Sequence, residues 1–328
     1  MEDNKLHRRA FLKSMAVAGL AATCPHLIGC GGEKEKVAGG ASVVRTMKGA
    51  ARQDIGLAIA RGSDDPMKLV RAAIQAVGGI ERFVKKDDTV VVKPNIAWSR
   101  RPEQAANTNP FVVEAIIELC QDAGAKQVNV FDYPCNPVSR TYRLSGIEEA
   151  VGRAGGNISY MDERKFEDVA IPEGKSIKSW KMYADAFDAD VLINVPVLKH
   201  HSMARLTMGM KNLMGLIGGN RESIHPDFDQ KLADINTVIK PHLTIMDAFR
   251  VLKAHGPNAG TPEDVILGRH LIVGTDPVAV DSYGASLFRD LTGQELSGED
   301  IGYIRIGHEM GLGEMDLARV EQQLIDVA

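Results

Sequence analysis

The sequence predicts an α/β protein: a mostly parallel sheet flanked by helices, with a small β-containing insertion. Short apolar runs alternate with amphipathic helical patterns along the chain, the signature of βα units. Several runs, such as "TVVV" at 89–92, are continuous rather than alternating, as befits strands covered on both faces. The helical patterns also carry their own punctuation, with Asn109-Pro110 opening one and Gly124 closing it, because Asn caps free N–H groups, Pro suits the first turn and Gly takes the left-handed exit.

Taken in order, "DIGLAIA" (54–60) reads as a strand and "DPMKLVRAAIQAVGG" as a helix ended by Gly78-Gly79. "TVVVKPN" (89–95) is the second strand, "NPFVVEAIIELCQDAG" the second helix and "QVNVFD" (127–132) the third strand, with a helix expected near Leu144 to Ala154. Residues about 160–185 mix polar and apolar positions in short stretches and predict the inserted β segment. "ADVLINVPVL" (189–198) is a further buried strand. A helix at 229–239, strands at 242–248 and 270–276, and helices at about 277–291 and 299–310 complete the pattern. From Leu206 the spacing of Thr207, Met210, Lys211 and Met214 fits one face of a helix.

The first thirty residues read as an address rather than as part of the fold. Arg8-Arg9 followed by Phe11, Leu12 and Lys13 looks like a twin-arginine export motif, and a mildly apolar Ala/Gly-rich segment follows. "LIGC" ends in Cys30, in the pattern of a lipobox whose cysteine is acylated after cleavage; cleavage without lipid is the alternative. The expected organisation is a signal peptide over 1–29, a flexible tether over 30–50 and an α/β domain over 51–328. The expected setting is periplasmic or cell-surface, lipid-anchored through Cys30 after passage through the twin-arginine translocation machinery. That route carries folded cargo, so a cofactor acquired before export fits it.

Composition removes some functions. The 328 residues are 44% hydrophobic and 25% charged with a net charge of −4, which speaks against nucleic acid as a partner. Of four cysteines, Cys24 belongs to the signal and Cys30 to the lipobox, leaving Cys120 and Cys135 outside any CxxC spacing. The chain's own cysteines therefore bind no iron–sulfur cluster, although the two could pair in an oxidising compartment.

In parallel sheets ligands sit beyond the carboxyl ends of the strands. Those ends read Lys93-Pro94-Asn95, Asp132, Lys199-His200-His201, Asp247 and Asp276-Pro277. The runs "VVVKPNIA", "NPFVVEAIIELCQDAGAKQVNVFD", "ADVLINVPVLKHH", "TMGMKNLMG" and "LIVGTDPVAVDSYGA" occur in this order. Together they resemble the family called domain of unknown function 362, from about Asp54 to Leu291. The resemblance implies no established activity. Many members add a ferredoxin-like module with iron–sulfur clusters; this sequence shows neither that module nor its cysteines, so that part of the resemblance does not carry over.

Three readings compete for the strand ends. In the first, Lys93, Lys199, Arg205 and Lys211, with a helix N-terminus, bind a small anion such as a carboxylate or phosphate; Asn95, Asn212 and Asp281 join this substrate-binding set. In the second, a metal ion is held by His200 or His201 with His225 and a carboxylate from Asp132 or Asp247, which requires distant residues to converge because no H-x-H or H-x-x-x-H pair is present. In the third, the histidines only pack or cap. His200 and His201 point to opposite faces if the strand continues through them, so one of them, not both, serves as acid/base. Cys135, in a loop past a strand end, is either a nucleophile or a plain turn cysteine. The functions these allow are an enzyme or cofactor-linked protein acting on a small anion, a tethered solute- or metal-binding protein, or a maturation partner of an exported redox enzyme.

Overall fold

The computed structural model describes residues 42–48, 55–258 and 260–328. The export motif, Cys24, Cys30 and most of the tether lie outside the described residues.

The chain runs β1 (Leu57–Arg61), α1 (Pro66–Ala76), β2 (Thr89–Pro94), α2 (Pro110–Asp122), β3 (Gln127–Val130), α3 (Val138–Leu144), α4 (Ile147–Arg153) and β4 (Asn157–Ile158). Then follow β5 (Phe166–Ala170), β6 (Ser179–Tyr183), α5 (Ala184–Asp188), β7 (Val191–Val195), β8 (Val197–His201), β9 (Arg205–Thr207) and α6 (Gly209–Asn212). The last third comprises α7 (Phe228–Asn236), β10 (Leu243–Leu252), β11 (Val265–Gly274), α8 (Pro277–Thr292), α9 (Gly302–Glu309) and β12 (Gln322–Asp326).

The main sheet has the order β12-β1-β11-β10-β7-β2-β3-β4, with the β8–β9 hairpin joined to β10. β10, β7, β2, β3 and β4 are mutually parallel, and β11 runs antiparallel between β1 and β10. Each face is covered by its own apolar cluster. Val90 and Val92 enter the cluster of α1, α2 and α4, whereas Val91 enters that of α8, α9 and the β5–β6 ribbon. Two-sided burial is the reason "TVVV" does not alternate. The N-caps fall where the sequence places them: Asn109 Oδ1 accepts from Phe111 N, and Asp276 Oδ1 from Val278 N and Ala279 N.

Local pattern and structure part in four places. The stretch from Leu206 is a strand, not a helix: Leu206 pairs with His200 and Thr207 with Lys199 in the β8–β9 hairpin, and α6 begins only at Gly209 and lasts four residues. A spacing of three or four in so short a run fits either element, and cross-strand pairing decides it. The helix expected near Leu144 to Ala154 forms as α4, but a second helix, α3, precedes it unannounced and is parted from it by Gly146 with φ 73°. β12 lies on an edge with four of its five residues exposed, so it lacks the apolar run that marks a buried strand. Cys120, buried in α2, and Cys135, exposed, are both free thiols rather than a pair.

Candidate functional site

β2 has β7 on one side and β3 on the other, so the strand order reverses at β2/β7. Such a reversal splays the following loops apart and opens a crevice at the carboxyl ends. A cavity of about 370 Å³ occupies that crevice. Its lining comes from the segment after β2 (Asn95, Trp98), the segment after β3 (Asp132, Tyr133, Cys135), the β8–β9 hairpin (Lys199, His201, Thr207), α6 and its extension (Lys211, Asn212), and Arg221, His225 and Phe228. The walls are tied together by the backbone: Cys135 N donates to Ala97 O and Tyr133 N to Gly215 O.

Beneath the floor lies a buried ion pair. Lys93 Nζ donates to Asp132 Oδ1 at 2.6 Å and to Pro94 O at 2.8 Å, while Asp132 Oδ2 accepts from Ile96 N at 2.6 Å. The Lys93 side chain is 0% exposed, and burial pulls its ammonium below the ordinary lysine range against the attraction of Asp132. Gly215 presses on this pair: a Cβ there would stand 1.7 Å from Asp132 Oδ1 and 2.6 Å from Lys93 Nζ. No residue with a side chain fits that spot.

One wall is a chain of amides. Lys199 Nζ donates to Asn95 Oδ1 (3.3 Å), Asn95 Nδ2 to Asn212 Oδ1 (3.0 Å), Asn212 Nδ2 to Asn194 Oδ1 (2.8 Å) and Asn194 Nδ2 to Gly209 O (3.0 Å). Lys199 also donates to Ala106 O. It is 1% exposed and faces no carboxylate in direct contact. Burial first, then the nearby charge of Lys211, brings its pKa down to about 7. Lys211 is half-buried at the cavity wall, lies 5.7 Å from the centre of the Phe228 ring and has no hydrogen-bond acceptor among the described residues. Burial brings it to about 8, with Arg221 and Lys93 adding repulsion. Arg221 stacks at 4.8 Å over Tyr133 and gives one N–H to Tyr133 O, but its Nε is buried with no acceptor.

The β8 strand continues through both histidines, so they part as alternation requires. His201 lines the cavity, with Nδ1 accepting from Met203 N and Ala204 N. Those bonds leave the ring hydrogen to Nε2, and burial followed by the charges of Lys211 and Lys199 holds the imidazole neutral, far below its usual range. His200 faces away, its Nδ1 accepting from Gly256 N.

Of the residues singled out in the sequence, Asn95, Asp132, Cys135, Lys199, His201, Lys211, Asn212 and His225 meet at this one cavity. Lys93 lies just under it. Four others are elsewhere, each with a task of its own. Arg205 is exposed and points to Asp300, 3.6 Å away. Asp281 accepts from Gly209 N and Met210 N at 2.6 and 2.9 Å; the helix N-terminus expected to receive an anion is thus already filled by the protein's own carboxylate. Burial pushes that carboxyl up to about 7 while the two N–H groups pull it down. Asp247 is buried at the start of α2, accepting from Asn109 N and Phe249 N, and His200 is turned away as described. The expected metal set of His225, His200, Asp132 and Asp247 is therefore not assembled. Among the described residues no three His, Cys, Asp or Glu side chains gather as a metal site. Met210 belongs to the core and Met214 to the cavity wall, which is the packing use of methionine.

Trp98, Tyr133, Arg221 and Phe228 line the cavity without having been singled out. Trp98 and Tyr133 follow the same strand ends that yielded Asn95 and Asp132, and the strand-end rule extended by a few residues reaches them. Arg221 comes from an irregular segment after Gly218-Gly219 and Phe228 is the first residue of α7, where no periodicity yet points inward.

A model of the family described as Domain of unknown function (DUF362) matches residues 90–286, more than half of the chain. A thylakoid-associated protein of Synechocystis sp. is 31% identical over 232 residues, which are 65% of this chain and 66% of that protein. The apoprotein of a lactate racemase from Thermoanaerobacterium thermosaccharolyticum superposes with a TM-score of 0.44 at 11% identity, covering 76% of this chain and 62% of that one. The match spans just under two thirds of the length of each of these proteins, and the second likeness is too distant to carry function.

Proposed function

The chain belongs to the DUF362 family, and from that premise we propose that its β2/β7 crevice binds a small organic anion, a carboxylate or phosphate, for an enzymatic step. One observation carries the reading: the cavity collects Lys199, Lys211 and Arg221 around a single carboxylate, Asp132, which Lys93 already neutralises. Cations this poorly matched inside a protein are costly unless a ligand supplies the missing acceptors. The volume suits a molecule of metabolite size. Neutral His201, with its hydrogen on Nε2, is the group placed to donate to a reacting oxygen, and Cys135 stands at the rim.

Calorimetry with malonate, phosphate and acetate tests this reading. Binding of at least one is expected, strongest below pH 7 and weakening as the pH passes about 7 and then 8, where Lys199 and Lys211 lose their protons. An anion raises both pKa values when it binds, so binding at pH 8 takes up protons, and the measured heat should vary with the ionisation enthalpy of the buffer. No binding of any anion at pH 6 would end the proposal. Turnover separates an enzyme from a protein that only captures its solute.

We also propose export by the twin-arginine route with lipid attachment at Cys30. Support comes from Arg8-Arg9 and "LIGC" in the right order and from a relative named for association with thylakoids. Metabolic labelling with a tritiated fatty acid should mark the wild type and not Cys30→Ser; label in both, or in neither, rejects the anchor.

A further inference from the structure

Lys199 and Lys211 share the cavity but differ in what surrounds their nitrogens. Lys199 spends its hydrogens on two oxygens of the protein, Ala106 O and Asn95 Oδ1. Lys211 has none among the described residues, and its Nζ lies over the face of the Phe228 ring, which by itself favours the ammonium. Burial, helped by the cations Arg221 and Lys93, outweighs the opposing pull of Cys135 and brings Lys211 to about 8, so this partnerless amine, at a cavity that also holds Arg221 and His201, keeps a lone pair available near neutral pH. Arg221, by contrast, is fixed by its stack on Tyr133 and its bond to Tyr133 O, and it lines the same cavity.

We infer that Lys211 is an imine-forming amine, and that the anion taken by this site carries an aldehyde or ketone next to its carboxylate, as a 2-oxo acid does. The inference rests on the anion reading of the same cavity and adds the substrate's second functional group. Arg221 and Lys199 hold the carboxylate. The Lys211 nitrogen lone pair adds to the carbonyl carbon while the C=O π pair moves to oxygen, which takes a proton. The resulting carbinolamine loses that oxygen as water and forms C=N. In sum, amine, carbonyl and one proton give a protonated imine and one water. His201, with its hydrogen on Nε2, stands at the same cavity to donate to the departing oxygen. The imine then draws electrons from the neighbouring carbon, which is the step a decarboxylase, aldolase or isomerase of oxo acids needs.

The full-length protein incubated at pH 7.5 with glyoxylate, pyruvate or 2-oxoglutarate and sodium cyanoborohydride should gain one reduced adduct per chain. Peptide mapping should place it on Lys211, and excess malonate should slow its formation about tenfold or more by occupying the carboxylate subsite. Lys211→Arg, which keeps the charge, should form no such adduct, with a thermal melt confirming that it folds. Mapping to Lys199 or a spread over surface lysines overturns the proposal, as does the absence of an adduct with all three probes. If malonate still binds in that last case, only the imine is lost; if nothing binds, the anion reading has failed with it.

Discussion

Asp132→Asn is expected to destabilise the protein by roughly 3–5 kcal/mol at pH 7, the usual consequence of leaving one member of a buried ion pair alone. The amide would leave Lys93, fully buried, without a counter-charge. Lys93 would then give up its proton, and each unit by which pH 7 lies below the ordinary lysine value costs about 1.4 kcal/mol, which reaches the same range by another route. The sign with pH follows. A lysine neutral in the fold but protonated when unfolded makes the unfolded chain bind more protons below its ordinary pKa, so stability rises with pH. The deficit of Asp132→Asn should therefore shrink as pH climbs from 7 towards 10. Denaturant melts across that range measure it. Lys93→Met in the Asp132→Asn background should restore much of the loss, because no buried charge is then left unpaired. A single-variant loss below about 1 kcal/mol would show that the pair does not hold the floor of the site.

Lys199→Met should do two things of different kind. Affinity for malonate or phosphate should fall about tenfold or more at pH 6, the worth of one charge-assisted hydrogen bond. Stability, in contrast, should lose one proton's worth of pH dependence. Burial sets Lys199 at about 7 in the folded protein, below its unfolded value. Folding therefore releases its proton between pH 7 and the ordinary lysine range, and wild-type stability rises through that window by about 1.4 kcal/mol per pH unit from this residue alone. The methionine variant should lack that slope. A variant that keeps the slope, or binds anions as tightly as the wild type, would remove Lys199 from the site.

How much of this was legible in the sequence depends on the kind of signal. "TVVVKPN" and "NPFVVEAIIELCQDAG" carry their structure locally, in two-sided burial and in caps, and both form the elements they predict. Strand ends told where to look: Asn95, Asp132 and Lys199 are all at the cavity. What the sequence could not carry was partnership. Asp247 and Asp281 end up beneath backbone N–H groups from segments far away in sequence, and nothing near them announces it. Arg205 leaves the basic group because the hairpin turns it outward, where Asp300 meets it. The alternation of "KHH" did separate His201 from His200, because a strand's period of two holds wherever the strand does.

The row of amides beneath Lys199 has a direction that both of its ends enforce. While protonated, Lys199 can only give hydrogens, so Asn95 must offer it oxygen; at the other end a carbonyl can only accept, so Asn194 must offer Gly209 a hydrogen at any pH. With the two ends agreeing, Asn95, Asn212 and Asn194 have one orientation and no competing arrangement among themselves. This wall is therefore preorganised: a ligand meets dipoles already aligned and loses little to reordering them. Discrimination between anions is then left to their shape and charge, since the asparagines have no second setting in which to accommodate a poor fit.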